Sequence, residues 1–478
     1  MKRLLVAALA VVSAGVFTVE AKVELAPVFG DNMVLQRERP AAVWGTAEPQ
    51  EEVTVTFAGQ TAKAKADDKG AWKIRLAPLP ACKDNRTLTA AGKDNTVTVN
   101  NVLVGEVWLC SGQSNMEQPL WGSSPRFRDR KGAMIASLAN YPLIRFSRMA
   151  NYDFSVTPRT DYPMQWQAVR PDNVAPLSAT AFYYGVELFR ALDIPIGLVT
   201  SHWGGTRIEP WTPPCGFESV PSLKGILDGL ANLKPKTEGE KNLHQQPTVL
   251  YNRMIVPFVP FTFRGAIWYQ GESNLADGAA YRDKMHALLN GWKKVFENPD
   301  LKFYFVQLAP FTYGGDGKAL PAMWETQQAF ADEEKDAGMA VITDVGNLHD
   351  IHPSDKETVG RRLALLALNR DYGFASVKAD SPTLKASQVE NGKFVLTFNH
   401  AEGWYTTGNE PAKNFEVAGE DGAFVPAKVE IKGAQLVVGA DGVPAPKQLR
   451  FMWDQSCEGN LYNEACLLPG AFRIQANP

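Results

Sequence analysis

Trp108-Leu109-Cys110-Ser111-Gly112-Gln113-Ser114-Asn115-Met116 carries apolar residues into a glycine-containing turn that ends on a serine flanked by amides. An apolar strand stopping at such a turn presents the serine at its carboxyl end, where open α/β sheets keep their active sites. A nucleophilic serine needs a base. Far along the chain, Asp350-Ile351-His352-Pro353 leads into a helix-like stretch and offers one. The pair predicts serine-hydrolase chemistry.

Around that stretch, residues 106–371 alternate between apolar runs and helix-length segments. Residues 107–110, 196–200, 265–269, 303–308 and 339–343 read as strands, and their near-continuous apolar character suits strands buried on both faces. Residues 180–192, 281–296, 323–334 and 357–368 read as helices. Such alternation predicts an α/β domain with one parallel sheet between helix layers. Residues 122–176, rich in Pro and Arg, read as long surface loops beside the active site, and 235–246 as a polar insertion. Residues 22–105 show period-two runs such as Val53-Thr54-Val55-Thr56-Phe57 and predict an N-terminal β domain. The β pattern returns over 372–478. It predicts a C-terminal β domain that can pack against the N-terminal one.

At 478 residues the chain is too long for one ordinary core. A net charge of -3 argues against a nucleic-acid partner held through phosphates. Lys2 and Arg3 before an apolar run, with Val19-Glu20-Ala21 as a small-residue cleavage site, read as an export signal over residues 1–21. The expected location is therefore periplasmic or secreted, without stable membrane insertion. Of five cysteines, Cys457 and Cys466 can pair in an oxidising compartment, and Cys110 reads as a buried small hydrophobe. Neither CxxC nor HExxH spacing occurs, so no metal or cofactor is expected.

Four blocks fall at candidate strand ends: Gly112-Gln113-Ser114-Asn115, Trp203-Gly204-Gly205-Thr206, Gln270-Gly271-Glu272-Ser273-Asn274 and Asp350-Ile351-His352-Pro353. Ester hydrolysis needs a nucleophile, a base, an orienting group and oxyanion donors. Ser114 is the candidate nucleophile, weighed against a plain helix cap for a helix starting near Met116. Of six histidines, His352 is the candidate base because Pro353 behind it suits a first helical residue, while His286 reads as structural and His202 as a possible substrate contact. The orienting acid is Asp350 or Glu272, and a main-chain carbonyl can also fill that role. Gly204 and Gly205 let the backbone approach a substrate. Gln270 offers a side-chain amide to the oxyanion, and Arg207 and Trp203 are candidate substrate contacts.

The wording and order of these blocks resemble the SGNH-hydrolase superfamily, and within it the sialate O-acetylesterase family of carbohydrate esterases. The resemblance runs from Ala26-Pro27-Val28-Phe29-Gly30-Asp31-Asn32-Met33-Val34-Leu35-Gln36 to Gly459-Asn460-Leu461-Tyr462-Asn463. It implies a flavodoxin-like α/β/α sandwich and metal-free hydrolysis of sugar acetyl esters, with Ser114 as nucleophile and His352 as base. The backbone N–H of Ser114, Gly205 and the Gln270 amide would hold the oxyanion. The pattern often has an acid three residues before the histidine, where this chain has His349; Asp350 stands two before, and related acetylesterases can use the Glu of a Gln-Gly-Glu block, here Glu272.

The expected substrate is an O-acetylated sugar or glycan. O-acetylated sialic acid comes first, with acetylated xylan or another plant polysaccharide as the alternative. Arg126, Arg128, Arg207 and Arg253 would favour a carboxylated sugar if they line the cleft. The rival from another class is a non-catalytic carbohydrate-binding protein, suggested by the flanking β regions and twelve tryptophans.

Overall fold

The structure is a computed structural model and describes residues 22–122, 130–149, 151–237 and 239–475. The segment read as an export signal, together with Arg126 and Arg128, lies outside the described residues. Among the described residues no helix is long and apolar enough to cross a membrane.

The central sheet is built on β1 (Thr96–Gly112), joined by β2 (Tyr141–Arg148), β3 (Trp166–Val169), β4 (Ile196–His202), β5 (Gly265–Tyr269), β6 (Lys302–Val306) and β7 (Ala337–Ala340). Their order is β3-β2-β4-β1-β5-β6-β7. Every neighbouring pair is parallel except the β3/β2 edge. If β2 and β3 are set apart as an added edge, the remaining five strands follow a second, first, third, fourth, fifth order. The order then reverses between β1 and β5, and such a switch point opens a crevice at the carboxyl ends.

Alternate residues of each strand feed opposite cores. Trp108, Cys110, Ile267 and Tyr304 face α3 (Ala179–Leu192) and α6 (Lys356–Asp371). Val107, Leu109, Trp268 and Phe303 face α4 (Ala280–Val295) and α5 (Ala319–Glu333). Helices thus cover both faces, which is why the strands read as unbroken apolar runs. The remaining helices used below are α1 (Ser114–Glu117) and α2 (Arg130–Leu138).

Residues 122–176 depart from the loop expectation, because they hold α2, β2 and β3. The β2 run Leu143-Ile144-Arg145-Phe146 is broken by an arginine that is nevertheless buried. Arg145 keeps its place by donating to the Pro142 carbonyl (2.6 Å) and to the side-chain oxygens of Asn32 (3.2 Å) and Asn101 (3.4 Å). A charge satisfied in this way hides a strand from a reading based on hydropathy.

The flanking regions hold β-strands, in one of which Val53, Val55 and Phe57 are buried between exposed or half-buried neighbours. The boundary placed between residues 105 and 106, however, falls inside β1. Its first half pairs antiparallel with Cys82–Ala91, and its second half pairs parallel with β4 and β5. The C-terminal region packs on the central domain: Lys318 donates to the Trp453 carbonyl (3.0 Å), and Tyr462 OH to Asp344 (3.3 Å). Cys457 and Cys466, which can pair in an oxidising compartment, are both free thiols.

Glu106 sits where β1 passes from one sheet environment to the other, and it is fully buried. Its carboxylate accepts from Arg37, from Arg264 (two bonds of 2.9 Å), from Gln36 Nε2 (3.0 Å) and from Tyr372 OH (3.0 Å). Burial pushes this carboxyl up, but Arg264, Arg37 and Gln36 outweigh burial and hold it below 4.5. Its contribution to stability is therefore complete above the unfolded carboxyl value and is lost as pH falls through the lower folded value. Glu106→Ala is expected to cost about 3 kcal/mol in denaturant unfolding at neutral pH, the low end for a broken buried pair because both guanidinium groups keep some solvent.

Candidate active site

Three strands end flush at the crevice: His202 of β4 and Tyr269 of β5 are both in register with Gly112. Gly112 has φ +142°, and a Cβ there would lie 2.2 Å from the Tyr269 carbonyl oxygen. Only glycine lets the two backbones come this close before the chain turns into α1.

Hydrogen bonds then join the four sequence blocks. Gln113 N–H donates to the Tyr269 carbonyl (3.0 Å), and Trp203 N–H to the Gly112 carbonyl (3.2 Å). Gln113 Oε1 accepts from the N–H groups of Gly271 (3.3 Å) and Ser273 (3.4 Å). Asn115 Nδ2 donates to Glu272 Oε1 (2.6 Å) and to the Ile351 carbonyl (3.0 Å).

Ser114 is the first residue of α1 and Gln113 takes the N-cap position, so the serine hydroxyl is not used as a cap. Ser114 and His352 line one cavity of about 340 Å³ together with Glu117, Trp121, Arg148 and Tyr152. Pro353 does not begin the following helix as the sequence suggested. Asp355 caps it three residues before Thr358, whose N–H its side chain accepts at 3.0 Å. The His352 loop is held instead by Asp350, whose Oδ1 accepts the His352 backbone N–H (2.9 Å) and lies 3.7 Å from ring Nδ1.

Glu272 reaches the histidine only indirectly, through Asn115. Lys356 Nζ completes that buried network by donating to Asn115 Oδ1 (2.7 Å) and to the Pro353 carbonyl (2.7 Å). Burial drives both ends of the network toward neutrality. It raises the Glu272 carboxyl, and it lowers the Lys356 amine to about 7 against the pull of Glu272. Asn115 and Lys356 were not singled out from the sequence, although Asn115 stood inside the quoted motif.

Other expected contacts are spent elsewhere. Gln270 is fully buried. Its amide donates to the Thr206 carbonyl (3.1 Å) and to Asn274 Oδ1 (2.7 Å), while its oxygen accepts from Tyr281 OH (2.7 Å). With both amide hydrogens committed, it is a brace rather than an oxyanion donor. Arg207 pairs with Glu209 and Asp277 (each 2.9 Å), and Lys284 joins the same carboxylates (each 2.7 Å). Burial alone would raise the Glu209 carboxyl, but these partners hold it at about 2. Arg253 is likewise paired, with Asp153 (3.1 Å) and Asp161 (2.9 Å). Trp203 stacks against Tyr152 and His244, with ring centroids 5.3 and 4.7 Å apart, and stands behind the pocket wall. The exposed tryptophan at the pocket is Trp121.

The two glycines differ. A Cβ on Gly204 would lie 3.3 Å from Ser114 Cβ, whereas one on Gly205 would meet nothing within 4 Å. The close approach to the serine belongs to Gly204, and its N–H donates to the Glu117 carboxylate, which also accepts from Tyr152 OH. Gly205, with φ +72°, turns the loop.

His352 is held below its usual 6.5 chiefly by burial and then by the Lys356 charge, while Asp350 and Glu117 pull it upward. The ring is thus neutral, and able to accept a proton, at neutral pH. Removing a nearby cation favours the imidazolium; removing a nearby carboxylate disfavours it. The acid limb of kcat/KM should therefore lie below pH 6.5 in the parent, move to higher pH in Lys356→Gln and to lower pH in Asp350→Asn. Initial rates on an acetyl ester across pH 4–8 read both shifts.

Residues 104–368 match the family described as carbohydrate esterase, sialic acid-specific acetylesterase. The sialate O-acetylesterase of Mus musculus is 29% identical over 427 residues, covering 77% of this chain and 77% of that protein. The sialate O-acetylesterase of Homo sapiens is 28% identical over 413 residues, covering 78% and 76%. Among solved structures, a carbohydrate acetylesterase from Xanthomonas citri superposes with a TM-score of 0.85 at 34% identity, covering 95% of this chain and 99% of that one. The match over the sheet and its strand-end loops, with this near full-length superposition, shows that the chain belongs to the sialic acid-specific acetylesterase family of carbohydrate esterases.

Proposed function

We propose that this chain is a serine O-acetylesterase of the SGNH type, with O-acetylated sialic acid as its first substrate class. One observation carries the reading: Ser114 and His352, on loops far apart in sequence, line the same cavity. Ser114 Oγ attacks the acetyl carbonyl while His352 takes the hydroxyl proton. The tetrahedral intermediate then collapses, the bond from the acetyl carbon to the sugar oxygen breaks, and His352 returns the proton to that oxygen. Water, deprotonated by His352, attacks the acetyl-enzyme; the bond from the acetyl carbon to Ser114 Oγ breaks, His352 returns the proton to Oγ, and acetate leaves. Asp350 is the orienting acid, close to Nδ1 and fixed by its bond to the same residue's N–H. Glu272 acts beneath it as a positioning residue through Asn115.

The oxyanion donors in this reading are the backbone N–H groups of Ser114 and Gly204. The Ser114 N–H lies in the first turn of α1, where no helical carbonyl can accept it. The Gly204 N–H is held by Glu117, whose carboxylate must yield it to the acetyl oxygen. The strand order and two helix layers support the flavodoxin-like SGNH assignment, and the charged and apolar N-terminal run supports export. A broader sugar range, including acetylated xylan, is the second reading, favoured by the structural likeness to a carbohydrate acetylesterase.

Ser114→Ala and His352→Ala should each lower kcat on a chromogenic acetyl ester by about four to six orders of magnitude, with unchanged circular dichroism. A purified, folded Ser114→Ala protein with parental turnover would exclude the mechanism. Acetate release from acetylated sialic acid and from acetylated xylan, measured under matched conditions, ranks the two substrate classes.

A further inference from the structure

The arginines expected to read a carboxylated sugar are paired with acids or lie outside the described residues, yet the catalytic cavity contains an arginine of its own. Arg148 ends β2 and lines the cavity with Ser114 and His352. Its Nη1 donates to the Pro176 carbonyl (2.7 Å), and among the described residues no carboxylate forms an ion pair with it. Arg148 and Pro176 also line a second cavity of about 380 Å³, whose other walls include Asn151, Gln165, Gln167 and Asn173. The guanidinium therefore stands in the partition between the catalytic pocket and a neighbouring hollow rich in amides.

Beside it is His202, in the same catalytic pocket and only 4% exposed, with no hydrogen-bond partner for either ring nitrogen among the described residues. Buried polar atoms without partners cost free energy unless a ligand or water satisfies them. Burial, and then Arg148, hold the His202 ring at about 3, so it is neutral and presents one donor and one acceptor. A fixed cation with no acidic partner among the described residues, next to a neutral donor, matches a carboxylate flanked by a hydroxyl or ring oxygen. A planar fork is also the side chain best shaped to bind a carboxylate through two bonds.

We propose that Arg148 and His202 form the subsite that binds the carboxylate of an anionic acetylated sugar, and that this subsite selects acidic over neutral sugars at Ser114. The inference rests on the esterase reading above and adds the residues that determine its substrate class. Glu117, held by Gly204 and Tyr152 in the same cavity, limits where that carboxylate can sit: the anion belongs on the Arg148 side.

The test compares kcat/KM for an O-acetylated sialic acid with that for the same sugar whose carboxylate is capped as an amide. In the parent, the acid should exceed the amide by about 10- to 100-fold, mainly through KM, as expected for a charge-assisted hydrogen-bonded contact. Arg148→Met should collapse that ratio to near unity. Arg148→Lys, which keeps the charge and loses the fork, should recover part of it. Loss of both rates in equal proportion in Arg148→Met would mean a general structural role and overturn the subsite. A parent that hydrolyses acid and amide equally would also overturn it, while leaving the esterase reading intact. A parent inactive on every acetyl ester, the chromogenic one included, would overturn both.

Discussion

A fully buried carboxylate holds the architecture together. Glu106 lies midway along β1, and its partners come from three separate parts of the chain: Gln36 and Arg37 before the sheet, Arg264 at the entrance to β5, and Tyr372 just after α6. A carboxylate in that position is tolerable only with all of these donors in place, so the folded chain must bring the N-terminal β region, the sheet and the last central helix into one arrangement. That arrangement fixes the register of β1, which ends at Gly112, two residues before Ser114. The position of Ser114 is therefore set by a charge midway along the strand that leads to it.

At the crevice the same principle operates on a smaller scale. Asn115 occupies the centre of a buried polar network, touching Glu272, Lys356 and the Ile351 carbonyl. Networks of this kind are stable only when nearly complete. This one links the serine loop to the histidine loop without placing either end of the link in the cavity. It also separates the two acids that sequence reasoning left in competition: Asp350 stands beside the ring, and Glu272 stands behind the asparagine. The unpartnered Glu272 Oε2 is consistent with a carboxyl that burial drives toward its neutral form.

Much of this is legible in the sequence. The parallel strands and their helices stood out because strands buried on both faces must be apolar, and the four strand-end blocks carried their own glycine and amide signals. What escaped was decided by pairing, which a single sequence does not display. Arg145 looked like an interruption because its asparagine partners lie in another region of the chain, and β2 was missed with it. Gln270, Arg207 and Arg253 had the right chemistry for a substrate but give it to Tyr281, Glu209, Asp277 and Asp153. Arg148, which has no acidic partner among the described residues, lies in the same stretch that reads as loops. Residue type indicated what each side chain can do; the presence or absence of a partner decided whether it remains available to do it.

The passage of β1 through two sheet environments has a consequence for how this chain can be divided. A cut near residue 105 would not separate modules; it would sever one strand and part the buried Glu106 carboxylate from Gln36 and Arg37. The N-terminal β region and the hydrolytic sheet should therefore unfold as one cooperative block, with amide exchange along Thr96–Gly112 governed by a single opening event. For the same reason, the N-terminal β region cannot be freely recombined as an accessory. It forms part of the support on which the serine stands.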